Sequence, residues 1–288
     1  MDASRKLTVP PAEKRQGGSV TLYVSPHCQD KVNRDDLLRL PAILEALPGG
    51  SSRLPGRKTW WAWEPSWHSG PGLMVRQYAH GGLWGRLTRT LFLGERRMRH
   101  EFALALYARL AGVPTSAPVA LRIERAWGPF VTALYVSERI PGTANLLELC
   151  RSADLAERLT SPQRRRLASA IAGAIGATHD AGIVHADLNL RNILVRDPLG
   201  QPEAFIVDFD KAKIVERPSL NRRIANLTRL DRSIVKWAAS RRAVHAADRL
   251  RFLRAYLQRY PQWAGQWEQI ARRYARRHLR HRMFREPD

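Results

Sequence analysis

The strongest constraint on this chain is a polar pattern between residues 183 and 210, where three side chains stand at fixed intervals. Asp187 is followed five residues later by Asn192, and Asp208 closes the next apolar run. A carboxylate such as Asp187 orients an attacking hydroxyl and accepts its proton. The amide oxygen of Asn192 and the carboxylate of Asp208 are hard oxygen ligands of the kind that Mg²⁺ binds. The spacing therefore predicts a site for transfer of a phosphoryl group.

Two apolar triplets within this pattern predict a pair of short strands. They are residues 193–195 and 205–207, and a turn-forming stretch separates them. The order H-x-D-x-x-x-x-N, then a hairpin and D-F-x, is that of the catalytic and metal-binding loops of the protein-kinase fold. We expect His185 to orient the metal-loop backbone rather than to act as a base. The alternative is a chance H-x-D on a loop, with Asp208 merely ending a buried strand; the matched spacing favours the kinase arrangement.

The composition is that of an ordinary globular protein. The 288 residues are 44% hydrophobic, which suits one two-lobed domain or two small domains. No window approaches the roughly 20 apolar residues that span a bilayer. The polar segment 1–18 predicts a disordered leader rather than an export signal. Cys28 and Cys150 form no C-x-x-C motif, which predicts a reducing compartment, no structural zinc and a soluble cytoplasmic protein.

The charge of the chain predicts a polyanionic partner. The formal net charge is +22, and residues 217–288 hold 19 Lys and Arg against 5 Asp and Glu. A bias this large indicates a surface that meets nucleic acid or the anionic headgroups of a membrane leaflet. Charge alone does not choose between them. Residues 262–284 predict a basic amphipathic helix, suited either to a membrane surface or to capping the C-terminal lobe.

The first third of the chain predicts a small, strand-rich lobe. A strand at 19–24 precedes a helix that begins after Asn33, a good N-cap, and extends to residue 47. Further strands are predicted at 60–63 and 73–78.

Several residues of this lobe are candidates for binding nucleotide phosphates. Gly56 and Arg57 precede the second strand, where a glycine-containing hairpin offers backbone N–H groups to an anion. Arg76 occupies the place of the ion-pairing strand cation, and a helix predicted at 95–111 supplies its carboxylate. Glu101 is the preferred partner, with Glu95 as the alternative. The alternative explanation for Arg76, Glu101 and Glu95 is that each is an ordinary charged residue on the surface of its strand or helix.

The junction with the second lobe is predicted at the end of a strand pair, 119–124 and 130–138. Residues 137–142 read as the hinge, where backbone groups near Glu138 would meet an adenine edge. The second lobe is predicted to be mainly helical, with Ser161 as the N-cap of its longest helix and His179 as a possible helix-terminus cation. Its predicted helices span residues 144–157, 162–180, 221–240 and 246–260.

The loop motifs resemble those of the bacterial lipopolysaccharide-core kinases, and most closely those of the 3-deoxy-D-manno-octulosonic acid (Kdo) kinases. The resemblance covers roughly residues 53–260. It is carried by H-A-D-L-N and N-I-L in the catalytic loop, V-D-F-D-K in the metal loop, and four further stretches at 76–78, 81–83, 138–142 and 226–233.

This resemblance implies an α+β, bilobal protein-kinase-like fold, with a small β-rich lobe at 19–137 and a mainly helical lobe at 138–288. It implies ATP- and Mg²⁺-dependent phosphorylation of a Kdo hydroxyl, the 4-hydroxyl being expected, on a lipid A precursor. The reaction would take place at the cytoplasmic face of the inner membrane, with peripheral binding to its anionic surface. By position, Asp187 is the implied catalytic base, and Asn192 and Asp208 the implied metal ligands. Arg76 and Glu101 are the implied phosphate-side ion pair.

One departure from the family pattern concerns the phosphate loop, and two alternative functions stay open. The phosphate loop of the family reads Gly-Arg-Gly, and Lys58 stands in place of its second glycine. A heptose or other small-molecule kinase of the same fold would share every catalytic residue. A kinase-like protein that binds nucleic acid without activity is the third alternative, although intact Asp187, Asn192 and Asp208 argue against it, and no nucleic-acid-binding motif is found.

Overall fold

The computed structural model describes most of the chain. The described residues are 12–14, 18–47, 59–80, 90–152, 157–237, 242–266 and 268–272. The chain divides into two compact units. The N-terminal unit contains Lys6–Tyr107 and Ser116–Pro141, and the C-terminal unit contains Ala108–Thr115 and Gly142–Asp288.

The N-terminal unit is built on one antiparallel sheet. Its strands run in the order β1-β2-β6-β7-β4-β3, and β5 pairs with β7 beyond the end of β4. Strands β6 and β7 are the longest, and most residues of both strands are buried. The strands are β1 (Ala12–Lys14), β2 (Val20–Val24), β3 (Trp60–Trp63), β4 (Leu73–Gln77), β5 (Phe92–Leu93), β6 (Pro118–Arg125) and β7 (Phe130–Glu138).

Two short helices, α1 (Arg34–Leu38) and α2 (Leu40–Ala46), contribute to the core of this unit. The side chain of Asn33 caps α1 by accepting hydrogen bonds from the N–H groups of Asp35 and Asp36 at 3.0 and 3.2 Å. A single helix was predicted here, but Pro41 lies in the first turn of α2, where its missing N–H ends the continuous ladder. Leu37, Leu40 and Leu44 are buried together with apolar residues of β2, β4 and β6.

The helix predicted at 95–111 is α3 (Arg96–Leu110). Gly112 follows it at a φ of +77°, the left-handed conformation that commonly ends helices. The C-terminal unit includes residues 108–115, which the sequence prediction assigned to the strand-rich unit. These residues belong there because the N–H of Ile206 donates to the carbonyl of Pro114 at 2.8 Å. The second junction between the units lies after Pro141, whereas it was predicted after residue 137.

The C-terminal unit combines helices with two small sheets. The sheets are β11-β10-β8 and β12-β9, formed by β8 (Thr143–Asn145), β9 (Ile183–His185), β10 (Ile193–Arg196), β11 (Glu203–Ile206) and β12 (Ala212–Ile214). The helices are α4 (Leu146–Arg151), α5 (Ser161–Asp180), α6 (Leu220–Lys236) and α7 (Ala246–Gln258). The predicted hairpin is confirmed, with Ile193 opposite Ile206. Gly182 is required before β9, since a Cβ there would lie 2.3 Å from the carbonyl oxygen of Val215.

The structure differs from the sequence prediction in details of three segments. The segment expected to be a disordered leader includes β1, which pairs with β2, because hydrogen bonds with β2 satisfy the backbone polar groups of this short strand. The N-cap of α5 is Thr160, with Ser161 already in the helix. The predicted C-terminal helix starts as a 3₁₀ helix at Pro261–Gln266, and most of its arginines lie outside the described residues. Within the described ranges, no helix is long and apolar enough to cross a membrane.

Candidate active site

A buried ion pair lies at the centre of the N-terminal unit. Arg76 on β4 donates a hydrogen bond to Oε1 of Glu101 on α3, and each residue is only 2% exposed. Three aromatic rings surround the guanidinium, with centroids at 4.7 Å (Tyr78), 5.2 Å (Tyr135) and 5.7 Å (Trp60). An arginine suits this enclosed place because its planar group is more weakly hydrated than an ammonium and stacks on rings.

Tyr78 holds the second oxygen of the same carboxylate. Its hydroxyl donates to Oε2 of Glu101 at 2.6 Å. Burial, and then the charge of Glu101, raise the pKa of Tyr78 well above its ordinary value, so this hydroxyl stays a donor. Glu95, the alternative partner, instead accepts from Tyr23 at 3.1 Å and from Arg99 at 3.0 Å. The structure therefore joins Arg76 to Glu101 and not to Glu95.

A closed ring of hydrogen bonds links the predicted catalytic loop and the predicted metal loop of the C-terminal unit. The amide Nδ2 of Asn192 donates to the carbonyl of Asp187 at 2.9 Å, and the N–H of Asp187 donates to Nδ1 of His185 at 3.3 Å. Nε2 of His185 donates to the carbonyl of Val207 at 3.2 Å. The N–H of Val207 returns to the carbonyl of Asn192 at 3.0 Å. The loop residues of both predicted motifs are thus held in one arrangement.

The ring defines the protonation state of His185. Nδ1 accepts a hydrogen bond while Nε2 donates one, so the imidazole is the neutral Nε2–H tautomer. Burial lowers the pKa of His185, and the charges of Asp208 and Asp187 oppose that shift. His185 serves as a backbone connector, the role expected from the sequence.

Two polar side chains of the loops, those of Asn192 and Asp208, are of the kind that suits a hard cation. Since Nδ2 of Asn192 is bonded to Asp187, its Oδ1 is the atom left to face a ligand. Asp208 has a φ of +66°, a conformation that Asp tolerates better than most residues and that turns the chain sharply after β11. Phe209 beside it is 2% exposed and fixes the turn against His185, with ring centroids 5.6 Å apart. An amide oxygen and a carboxylate form a donor set that fits Mg²⁺.

Comparison with known proteins identifies the family. The model of the lipopolysaccharide kinase (Kdo/WaaP) family matches residues 56–256, which is more than half of the chain. The chain belongs to this family. A 3-deoxy-D-manno-octulosonic acid kinase of Mannheimia succiniciproducens is 32% identical over 185 residues, covering 63% of this chain and 73% of the relative. The kinase of the same name from Vibrio parahaemolyticus is 34% identical over 179 residues, covering 61% and 69%.

A solved structure supports the same fold. WaaP in complex with acyl carrier protein matches 89% of this chain and 98% of its own, with a TM-score of 0.54 and 22% identity. The predicted α+β, protein-kinase-like fold is therefore confirmed. The protein is a kinase of the lipopolysaccharide family, a phosphotransferase that acts on an alcohol group with ATP as the phosphate donor.

In this lipopolysaccharide kinase, one face of α6 supports the predicted catalytic loop. Asn226 donates from Nδ2 to the carbonyl of His185 at 2.5 Å and accepts from the N–H of His185 at 3.3 Å. Arg229 donates to the carbonyl of Ala186 at 2.7 Å, and Oγ of Ser233 accepts from Leu190 at 3.1 Å. The spacing of 226, 229 and 233 is that of a single helix face, the one signal in the sequence that would have revealed this support.

His179 lies behind Asn226 in the protein interior, and its environment contradicts a prediction from the sequence. It is fully buried, donates from Nε2 to Oδ1 of Asn226 at 2.9 Å and accepts at Nδ1 from the hydroxyl of Tyr256 at 2.6 Å. Burial lowers the pKa of His179 to about 4, so the side chain is neutral. The prediction of a helix-terminus cation was wrong, because desolvation outweighs the attraction of the helix dipole.

The remaining candidates for nucleotide binding are Gly56, Arg57 and Glu138. Gly56 and Arg57 lie outside the described residues. The N–H of Glu138 donates to the carbonyl of Ala117 at 2.8 Å, so an adenine edge would need another backbone group of this segment. Tyr78 is the residue that sequence reasoning missed in the ion-pair site. Its position two residues after Arg76, on the same face of an extended strand, was the available signal.

Proposed function

We propose that this protein transfers the γ-phosphate of ATP to the 4-hydroxyl of a Kdo residue on a lipid A precursor, in assembly of the lipopolysaccharide inner core. The observation that carries the proposal is the closed hydrogen-bond ring through His185, Asp187, Asn192 and Val207. It fixes the backbone of Asp187 and the side chain of Asn192, and Asp208 directly follows Val207 in the chain, which is the order of groups that phosphoryl transfer requires. The Kdo acceptor is supported by the names of the relatives.

In the proposed reaction, Asp187 acts on the acceptor hydroxyl. Its carboxylate is exposed, while its backbone N–H and carbonyl are both bonded within the ring, so the side chain faces solvent from a fixed backbone. The carboxylate accepts the hydroxyl proton as the oxygen attacks the γ-phosphorus, and the bond to the β–γ bridging oxygen breaks to release ADP. Neutral His185 contributes no proton, since both of its ring nitrogens are occupied.

Residues for nucleotide binding are proposed in each unit separately. Oδ1 of Asn192 and the carboxylate of Asp208 would hold Mg²⁺, which neutralises charge on the phosphates when bound. In the N-terminal unit, Arg76 and Glu101 form the ion pair assigned to the phosphate side. Gly56 and Arg57 are proposed for the phosphate loop, and the segment at Glu138 for the adenine.

With this proposed acceptor, the enzyme is expected to work at an anionic membrane surface. A net charge of +22, concentrated in residues 217–288, supports peripheral docking to the cytoplasmic leaflet of the inner membrane. Each cation near such a surface contributes about 1 kcal/mol, so a few residues suffice for binding.

The acceptor is tested with a panel of purified glycolipids. Wild-type protein is incubated with ATP labelled at the γ-phosphate, Mg²⁺ and either a Kdo-bearing lipid A precursor or a heptose-bearing core fragment. We expect label on the Kdo acceptor alone, and ³¹P–¹H correlation spectra that place the phosphate on the 4-hydroxyl. Transfer only to the heptose acceptor would assign a heptose kinase instead. Transfer to neither would refute the proposal for both sugars.

A further inference from the structure

Three cations surround one tryptophan beside the catalytic loop. The ring centroid of Trp237 lies 4.9 Å from the guanidinium carbon of Arg191, 5.6 Å from that of Arg151 and 5.3 Å from Nζ of Lys236. We call these four residues the Trp237 cluster. All three cations are exposed and the indole is half-buried, so the cluster forms part of the surface of the C-terminal unit.

The fold brings these residues together from three separate elements. Arg151 is the last residue of α4, and Lys236 the last of α6, with Trp237 immediately after it. Arg191 belongs to the 3₁₀ helix Leu190–Asn192, between the proposed base and the proposed metal ligand. Two helix ends therefore meet the catalytic loop at one indole.

Helix stability explains this arrangement only in part. A cation in the last turn of a helix is favoured by the helix dipole, which accounts for Arg151 and Lys236 taken singly. It does not account for Arg191, nor for three like charges gathered within 5.6 Å of one ring centroid. Some other cations of this unit have acidic partners, as Arg164 and Arg251 have in Asp248. Among the described residues, no carboxylate pairs with a cation of the cluster.

We propose that the Trp237 cluster is the subsite that binds the acidic sugar of the acceptor, an inference that rests on the proposed function. The three cations would bind one carboxylate or phosphate group at the rim of the indole, and the edge of the indole would contact the C–H groups of the sugar ring. Arg191 lies four residues after Asp187, so an anion bound there keeps its sugar beside the catalytic loop. The cluster thereby selects an anionic acceptor over a neutral one.

Steady-state kinetics separate acceptor binding from chemistry. Arg151→Gln and Lys236→Gln lie outside the catalytic loop, and each is expected to raise KM for the acceptor by about tenfold. The KM for ATP and kcat stay within about twofold, and Arg151→Lys recovers most of the affinity. The matched control is Arg222→Gln, an exposed cation at the other end of α6, about 21 Å from Lys236 along the helix. Equal acceptor KM values in the cluster variants and in the control would overturn the proposal.

A binding measurement tests the proposed subsite independently of catalytic activity. Calorimetric titration with a deacylated Kdo-bearing saccharide is expected to show binding to wild type and to Arg222→Gln, and about hundredfold weaker binding to the Arg151→Gln/Lys236→Gln double variant. A saccharide without phosphate and one with reduced carboxyl groups identify which anion is bound. If wild type binds the saccharide but transfers no phosphate, the proposed function fails and the subsite stands. If wild type does not bind it, or the double variant binds it equally well, the subsite is refuted.

Discussion

The neutral state of His179 predicts a pH-dependent stability that one substitution removes. His179 is bonded to Asn226 and Tyr256, and burial lowers its pKa to about 4 from the ordinary value of 6.5. In the unfolded chain the imidazole takes up a proton as the pH falls below 6.5, whereas in the folded chain it does not until about pH 4. The unfolded state therefore binds more protons in this window, and stability is lost as the pH falls.

The size of the effect follows from the two pKa values of His179. Above pH 7.5 the residue is neutral in both states and contributes nothing to the pH dependence. At pH 5 the unfolded imidazole is almost fully charged, and the free energy of unfolding is lower by about 2 kcal/mol through this residue. His185, whose pKa burial also lowers, adds a loss of the same sign.

The assay compares urea unfolding of wild type and His179→Gln at pH 8 and pH 5, at constant ionic strength. Glutamine cannot titrate but still offers a donor and an acceptor, so the variant is less stable at pH 8, and about 2 kcal/mol of that deficit disappears at pH 5. His100→Gln, at an exposed position on α3, is the control and should change stability by the same small amount at both pH values. A deficit for His179→Gln that is equal at pH 8 and pH 5 would refute the neutral buried imidazole.

Three further predictions follow from the two supporting networks and from the charge. Tyr78→Phe removes a hydrogen bond to a buried carboxylate, so it should lower the free energy of unfolding by about 2 kcal/mol and raise KM for ATP. In the same denaturation assay the control Tyr23→Phe, which removes a hydrogen bond to the partly exposed Glu95, should lower it by less than about 1 kcal/mol. Asn226→Ala leaves groups of His179 and His185 unbonded and should destabilise the protein by about 3–5 kcal/mol, with faster backbone hydrogen exchange in the catalytic loop. Binding to vesicles that contain anionic lipid should fall steeply between 0.05 and about 0.5 M salt in a sedimentation assay, because screening acts on exposed charges.

Much of the fold was predictable because its signals are local. The hairpin follows from two apolar triplets around a turn, and α3 from its periodicity and the glycine that ends it. The order of Asp187, Asn192 and Asp208 was readable because loop chemistry requires fixed spacing. The break between α1 and α2 was missed because proline is tolerated in the first turn of a helix, so Pro41 was compatible with one helix or two.

The supporting residues were less predictable because their partners are distant in sequence. Asn226 meets His185 across 41 positions, and His179 meets Tyr256 across 77. No spacing rule links such pairs, and a histidine near a helix end is read as a cation unless its burial is known. The roles of Asn226 and His179 both depend on their burial, which spacing does not reveal. The same holds for Tyr78, whose role depends on a carboxylate 23 positions away.

The central claim is that Asp187 acts as the base in phosphate transfer, with its backbone held by the closed hydrogen-bond ring. The most direct test is the rate of phosphate transfer from ATP to the Kdo-bearing acceptor by Asp187→Asn, measured beside wild type and beside Glu203→Gln, an exposed carboxylate on β11 of the same unit. We predict that Asp187→Asn loses about 10²–10⁴ in kcat with unchanged stability, while Glu203→Gln stays within about twofold of wild type. A variant Asp187→Asn that keeps more than about a tenth of the wild-type rate would contradict the assignment.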